Sequence, residues 1–218
     1  MSHVVGGMEH VDDVFTIALI GGMGSGKSFV SGLFAQEGCS VVSLDEIGHD
    51  VLTYPAVISQ LTKTFGPDIV GEDGTVVRAQ LAAIAFKDAA STQQLNAITH
   101  PAIFAEARTR IEAARGIYRA ALVEVTSGEI TREALGWADV VVAVMAPQSL
   151  RIERAVERGQ ERTDVLRRIA QQPTDAEFAA AADFCINNAD DSVSPAPEVH
   201  ELCNRLFIPK SFTYTCLS

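Results

Sequence analysis

Three features of the chain predict an α/β protein built on a mostly parallel sheet. Short apolar, β-branched runs alternate with helical patterns along its length. One such run, Phe15-Thr16-Ile17-Ala18-Leu19-Ile20, opens directly into a glycine-rich octet, Gly21-Gly22-Met23-Gly24-Ser25-Gly26-Lys27-Ser28. A helical pattern follows from Phe29 to Ala35, with apolar residues at 29, 30, 33 and 34. Strand, glycine loop and helix in this order form the phosphate-loop unit, and the octet satisfies G-x-x-x-x-G-K-[ST] at every fixed position. The predicted class is therefore a parallel-sheet P-loop nucleotide-binding fold of nucleoside-kinase-like type. It carries a helical substrate-binding insertion and an arginine-rich lid.

The elements follow in chain order. Residues 15–20 are uncharged and read as a buried strand. The glycines let backbone N–H groups turn inward around an anion, because no Cβ blocks positive φ. Lys27 places a point charge on the β/γ-phosphates, and the Ser28 hydroxyl suits a magnesium ion. The following helix points its positive end at the same phosphates. The dinucleotide pattern G-x-G-x-x-G does not fit, since its third glycine falls on Lys27.

Residues 40–44 read as a second strand, adjacent to the loop strand, with Asp45 at its C-terminal end. Residues 46–116 hold helical patterns, with turns at Gly66-Pro67-Asp68 and Glu72-Asp73-Gly74, and Pro101 is expected to open a helix. This stretch is the predicted acceptor-binding insertion. Residues 14–45 and 117–205 form the nucleotide-binding core of a single domain spanning 1–218. Further strands are expected at 118–125 and 139–145, with a short final one at Cys185-Ile186. The alanine-rich patch 179–182 reads as helix, 192–198 as loop, and the last dozen residues as frayed. The first thirteen residues read as a floppy extension without the basic and apolar regions of a signal peptide.

Residues 148–175 form the predicted lid. Six arginines (151, 154, 158, 162, 167, 168) fall there, and Arg151, Arg154 and Arg158 share one helix face by spacing. They read either as a solvated helix laced with ion pairs to Glu153, Glu157 and Glu161, or as a clamp on a transferring phosphoryl group. Asp45 has two readings as well. It is a carboxylate placed to orient an acceptor hydroxyl and take its proton, or it is the N-cap of the next helix.

Composition bounds the function. A 218-residue chain with 47% hydrophobic residues is one ordinary domain with a sizeable core. No apolar run reaches a membrane span. A net charge of −11 argues against general nucleic-acid binding. Cysteines 39, 185, 203 and 216 show no metal or redox spacing, which accords with reduced thiols and a cytoplasmic location. The oligomeric state is left open.

The ordered set of motifs resembles the dephospho-coenzyme A kinase family over about residues 15 to 190. The octet is similar to that family's loop almost residue for residue. Asp73-Gly74-Thr75-Val76-Val77-Arg78, with Leu81 and Phe86-Lys87-Asp88, resembles its coenzyme-binding segment. Leu95 to Ile103 resembles its histidine-proline helix, Pro147 with Arg154 and Arg158 its approach to the lid, and Gln172 with 182–188 its C-terminal signature. Three places depart from the family's pattern: Ser43 stands for a carboxylate, Thr126-Ser127-Gly128 for Pro-Leu-Leu, and Phe178 for a basic residue.

The resemblance implies an ATP- and Mg²⁺-dependent kinase that phosphorylates the ribose 3′-hydroxyl of dephospho-coenzyme A, a small-molecule substrate. It implies Asp45, Lys27 and Arg154 as catalytic. Gly22, Met23, Gly24, Ser25, Gly26, Lys27, Ser28, Phe29, Arg158 and Asn188 (beside the adenine) would bind nucleotide, with Ser28 on the metal. Asp45, Arg78 and His100 would face the acceptor. Two alternatives stay open: a kinase for another nucleoside-like acceptor, and a ligand-binding member without turnover. A GTPase switch is disfavoured, since no N-K-x-D tetrad occurs.

Overall fold

The computed structural model describes residues 8–126 and 130–207. Its centre is a five-stranded, all-parallel sheet in the order β2-β3-β1-β4-β5. The strands are β1 (Thr16–Ile20), β2 (Cys39–Ser43), β3 (Ala120–Glu124), β4 (Val140–Met145) and β5 (Phe184–Asn187). All five residues of β1 and of β3 are buried, as expected of central parallel strands covered on both faces. Successive side chains point to opposite faces, so Ala18 and Ile20 join one core while Ile17 and Leu19 join the other.

Nine helices lie among the described residues: α1 (Lys27–Gln36), α2 (Leu44–Asp50), α3 (Pro55–Phe65), α4 (Arg78–Ala85), α5 (Ala89–Ala113), α6 (Gln148–Glu157), α7 (Arg162–Ile169), α8 (Asp175–Ala181) and α9 (Ala196–Leu206). Helices α1 and α9 cover one face with Val30, Phe34, Val199 and Leu202. Helix α5 covers the other through Ile103, Ala107 and Ile111. Helices α2 to α5 fill the connection between β2 and β3, and Val57, Leu61, Ile69, Leu81 and Ala85 give that region its own core. Among the described residues no helix is long and apolar enough to cross a membrane.

Several expectations need correction. Strand β2 pairs with β3, not with the loop strand β1; β3 lies between them. The 75-odd residues joining β2 to β3 leave no local signal of which edge β2 takes. Pro101 lies inside α5, not at a helix start. An internal proline costs about 3 kcal/mol, yet Thr99, Ile103, Ala107 and Ile111 keep one buried stripe running past it, so packing carries the helix through. Residues 8–14 are docked: Val11 and Val14 are buried and Met8 packs on the same core. Glu9 pairs with Arg108, and Arg115 donates to the Asp12 carbonyl. The region 192–198 is loop only to Pro195, because Pro197 fits the first turn of α9, where its missing N–H has no partner to lose. The frayed end expected for the last dozen residues lies outside the described residues from 208 on, as do Ser127 and Gly128.

Candidate active site

The loop between β1 and α1 is shaped to hold an anion. Gly21, Gly24 and Gly26 take positive φ of 147°, 77° and 92°. Gly26 is the N-cap of α1, with no capping side chain and no acidic residue in the first turn. The N–H groups there are left to a ligand. A Cβ would have no room at these positions. At Gly24 it would come within 2.3 Å of the Arg151 carbonyl oxygen, and at Gly26 within 2.2 Å of the Asn188 amide nitrogen.

Lys27 folds back over the loop. Its ammonium donates to the Gly21 carbonyl at 2.7 Å. Burial, with the Arg151 guanidinium nearby, pulls its pKa from 10.5 down to about 8, against the opposing pull of Glu124. The charge is held at a cost that an incoming polyphosphate would relieve.

One cavity of about 800 Å³ is lined by this loop (Gly21 to Gly24, Gly26, Lys27, Ser28, Phe29) and, across from it, by Asp45. It sits at the C-terminal ends of the strands, where open α/β sheets bind ligands. Asp45 is exposed in the first turn of α2. It is not the N-cap. Ser43 has that part, its hydroxyl accepting from the Glu46 N–H at 3.3 Å. Because β3 intervenes between β2 and β1, two strand spacings of about 4.8 Å each separate the carboxylate's strand from the loop's.

The end of β3 supplies Glu124, which lines the cavity although only 7% exposed. Its carboxylate accepts a short hydrogen bond from the Ser31 hydroxyl on α1. Sequence reasoning assigned Glu124 no role. Its signal was a single charge closing an otherwise apolar run, Ala120-Ala121-Leu122-Val123.

The arginines divide. Arg158 and Arg168 are exposed and line the cavity. Arg151 and Arg154 are buried beneath the loop, so the solvated-helix reading does not describe them, and neither is among the residues lining the cavity. Arg154 bonds Asp191 at 2.5 Å and the Asn188 carbonyl at 3.0 Å, and reaches toward the Gly24 and Ser25 carbonyls. Arg151 pairs with Asp175 at 3.0 Å while its Nε and Nη1 have no partner. The Arg151 Nη1 lies 1.7 Å from where a Gly22 Cβ would be. Sequence could have shown this. The inward stripe of α6 takes positions 151, 152, 154 and 155, and two of them are arginine.

Asn188 donates to the Ser25 carbonyl at 2.8 Å from a buried position. Like Arg154 and the buried Ser25, it supports the loop from behind and is not among the cavity's lining residues. Met23 ties the loop to the lid region: its N–H donates to Gln172 at 2.8 Å, and its side chain packs on Ile152, Ala155, Val165 and Ile169. Arg78 and His100 lie elsewhere. Arg78 opens α4 and bonds His49 at 2.6 Å beside a separate apolar groove. His100 is half-buried against Phe104, its pKa lowered by burial, and lines neither cavity.

Among the described residues no cluster of three metal-binding side chains occurs. Ser28, Asp45 and Glu124 nevertheless bring three oxygen-bearing side chains to one cavity. That donor set fits a hard cation held mainly by substrate phosphates.

A phosphate-loop in an all-parallel sheet, faced by a carboxylate across one cleft, defines the class: a P-loop kinase. The dephospho-CoA kinase family profile matches residues 15–194. A dephospho-CoA kinase of Methylococcus capsulatus is 35% identical over 88% of this chain and 96% of its own length. One of Corynebacterium glutamicum is 40% identical over 79% and 87%. The fold matches TT1252 of Thermus thermophilus with a TM-score of 0.72 at 24% identity, covering 91% of this chain and 98% of that one. It also matches a Campylobacter jejuni dephospho-CoA kinase at 0.61 and 20% identity, covering 88% and 97%. The chain belongs to the dephospho-CoA kinase family.

Proposed function

We propose that the chain transfers the γ-phosphoryl group of ATP to the ribose 3′-hydroxyl of dephospho-coenzyme A, giving coenzyme A and ADP. The single observation that carries the site assignment is the shared cavity, with loop and Lys27 on one wall and Asp45 on the other. The loop N–H groups and Lys27 hold the β- and γ-phosphates. Asp45 accepts a hydrogen bond from the acceptor hydroxyl and takes its proton as the new O–P bond forms. The bond from the γ-phosphorus to the bridging oxygen breaks, and the charge left on ADP is met by Lys27 and the loop. Arg158 and Arg168 sit on the lid side of the same cavity and would neutralise the transferring group. A magnesium ion held by Ser28 and the phosphates would add charge neutralisation. Arg154 and Asn188 act by fixing the loop.

Residues 46–116 serve as the acceptor-binding insertion and 148–175 as the lid of one domain. The free thiols of Cys39, Cys185 and Cys203 support a reducing, cytoplasmic setting. The −11 charge speaks against polyanionic partners larger than a nucleotide.

The test is ADP release with and without dephospho-coenzyme A, on the wild type and Asp45→Asn. Expected is acceptor-dependent release that falls by at least about a hundredfold in the variant while ATP still binds. Near-wild-type turnover in Asp45→Asn removes that residue from the mechanism. The polar Thr126 on the cavity wall favours a second reading, another nucleoside-like acceptor, which a small acceptor panel would reveal by faster transfer elsewhere.

A further inference from the structure

Arg151 is only 4% exposed, yet its guanidinium is half paired. Its Nη2 donates to the Asp175 carboxylate at 3.0 Å, while among the described residues its Nε and Nη1 have no hydrogen-bond partner. The Asp175 side chain is 47% exposed, so water screens much of what it returns. A buried cation left in this state is costly, and native folds rarely keep one without a use. The guanidinium stands directly behind the phosphate loop. Its Nη1 takes the space that a Gly22 side chain would fill, 1.7 Å from that Cβ position. Gly22 occupies an unfixed position of the loop pattern and, unlike Gly21, Gly24 and Gly26, has no left-handed φ. Glycine there makes room for the arginine and answers no demand of the backbone.

The charges beneath the loop do not balance. Lys27 on α1 and Arg151 on α6 bring two cations. Glu124 at the end of β3 is the carboxylate facing Lys27, and the half-exposed Asp175, in the first turn of α8, is the one facing Arg151. Arg151 acts on Lys27 through space, adding to burial in lowering the ammonium's pKa to about 8. It is not among the residues lining the cavity, so its effect reaches a ligand only through the loop and Lys27. We infer that Arg151 is a positioning residue of the phosphate site: its guanidinium, largely unneutralised beneath Gly22, supplies the field that holds a polyphosphate against the loop and Lys27. The inference rests on the nucleotide site proposed above and not on the identity of the acceptor. A charge that works at a distance, where water is excluded, pulls in proportion to the charge of the ligand. A structural brace has no such order.

The test is calorimetric titration of ATP, ADP and AMP, without acceptor, into the full chain and into Arg151→Gln, Arg151→Lys and Asp175→Asn. Arg151→Gln keeps an N–H donor and removes the charge. It is expected to weaken ATP at least tenfold, ADP less, and AMP within about twofold. Arg151→Lys restores the charge without the planar fork and should recover most of the loss. Asp175→Asn removes the partner and leaves the cation, so ATP should bind at least as tightly as to the wild type. The pH profile reads Lys27. Without Arg151 its pKa moves back up, so the fall in ATP affinity at alkaline pH should set in at a higher pH in Arg151→Gln than in the wild type. An equal loss for all three nucleotides in Arg151→Gln, an unmoved pH profile, or a matching loss of ATP affinity in Asp175→Asn would make the ion pair a brace and overturn the inference. Asp175→Asn decides alone if Arg151→Gln does not fold. A wild type that binds none of the three nucleotides would instead remove the nucleotide site itself.

Discussion

Lys27 carries an energetic conflict, a charge held where burial disfavours it. Its folded pKa, about 8, lies below its free value of 10.5. Between those values the unfolded chain binds the proton and the folded chain does not, so stability rises with pH across that window. At pH 7 the folded protein bears the full cost of a half-buried ammonium, up to about 3 kcal/mol. Lys27→Met should therefore raise the melting temperature of the ligand-free protein at pH 7, with the gain vanishing near pH 10.5, while turnover is lost. Melting curves at several pH values check it; a variant less stable at pH 7 would mean the ammonium is a net anchor of the loop. The same shift governs nucleotide binding. ATP needs the charged form, so its affinity should fall about tenfold between pH 7 and pH 9, with proton uptake on binding at the higher pH. Titration calorimetry in two buffers of different ionisation enthalpy reads both.

At the scale of elements, the loop is built as much by α6 as by its own glycines. The backbone of Arg151 approaches so closely that Gly24→Ala would meet its carbonyl oxygen at 2.3 Å, at a φ of +77° that a Cβ already strains. Gly24→Ala should cost at least tenfold in ATP affinity. Gly32, inside α1 with nothing within 4 Å of an added Cβ, is the control: Gly32→Ala should stabilise by about 0.5–1 kcal/mol. Denaturant titration and ATP binding on the pair separate a generic glycine effect from this contact. These elements also show what the sequence discloses. Strands β1, β3 and β4 were legible because each is an apolar run, and the octet because its chemistry admits few residue types. The strand order was not legible, since β2 and β3 are joined through four helices and no periodicity marks which neighbour a strand finds. The burial of Arg151 and Arg154 was not legible, because their partners Asp175, Asp191 and the Asn188 carbonyl are remote in sequence. The Arg78–His49 contact, 29 residues apart, was invisible for the same reason.

For the whole molecule, the division of the apolar core sets what can move. The sheet carries two large clusters, one on each face, while the insertion and the lid region each have a small one of their own. A unit with its own core can shift as a body without exposing much apolar surface. The lid cluster touches the loop through Met23, which also holds Gln172 by its backbone N–H. The insertion's cluster centres on Leu61, Ile69 and Leu81, which are absent from the loop's surroundings. Nucleotide and acceptor should therefore order different parts of the chain. Hydrogen exchange is expected to show ATP slowing amides in residues 148–172 with little change in 55–100, and dephospho-coenzyme A doing the reverse. Met23→Ala should weaken the ATP-induced protection of α6 and α7 while leaving the acceptor-induced protection of α3 and α4 in place. Uniform protection by either ligand alone would mean that the four clusters act as one body, and that closing over the substrates is not divided between two independently docked parts.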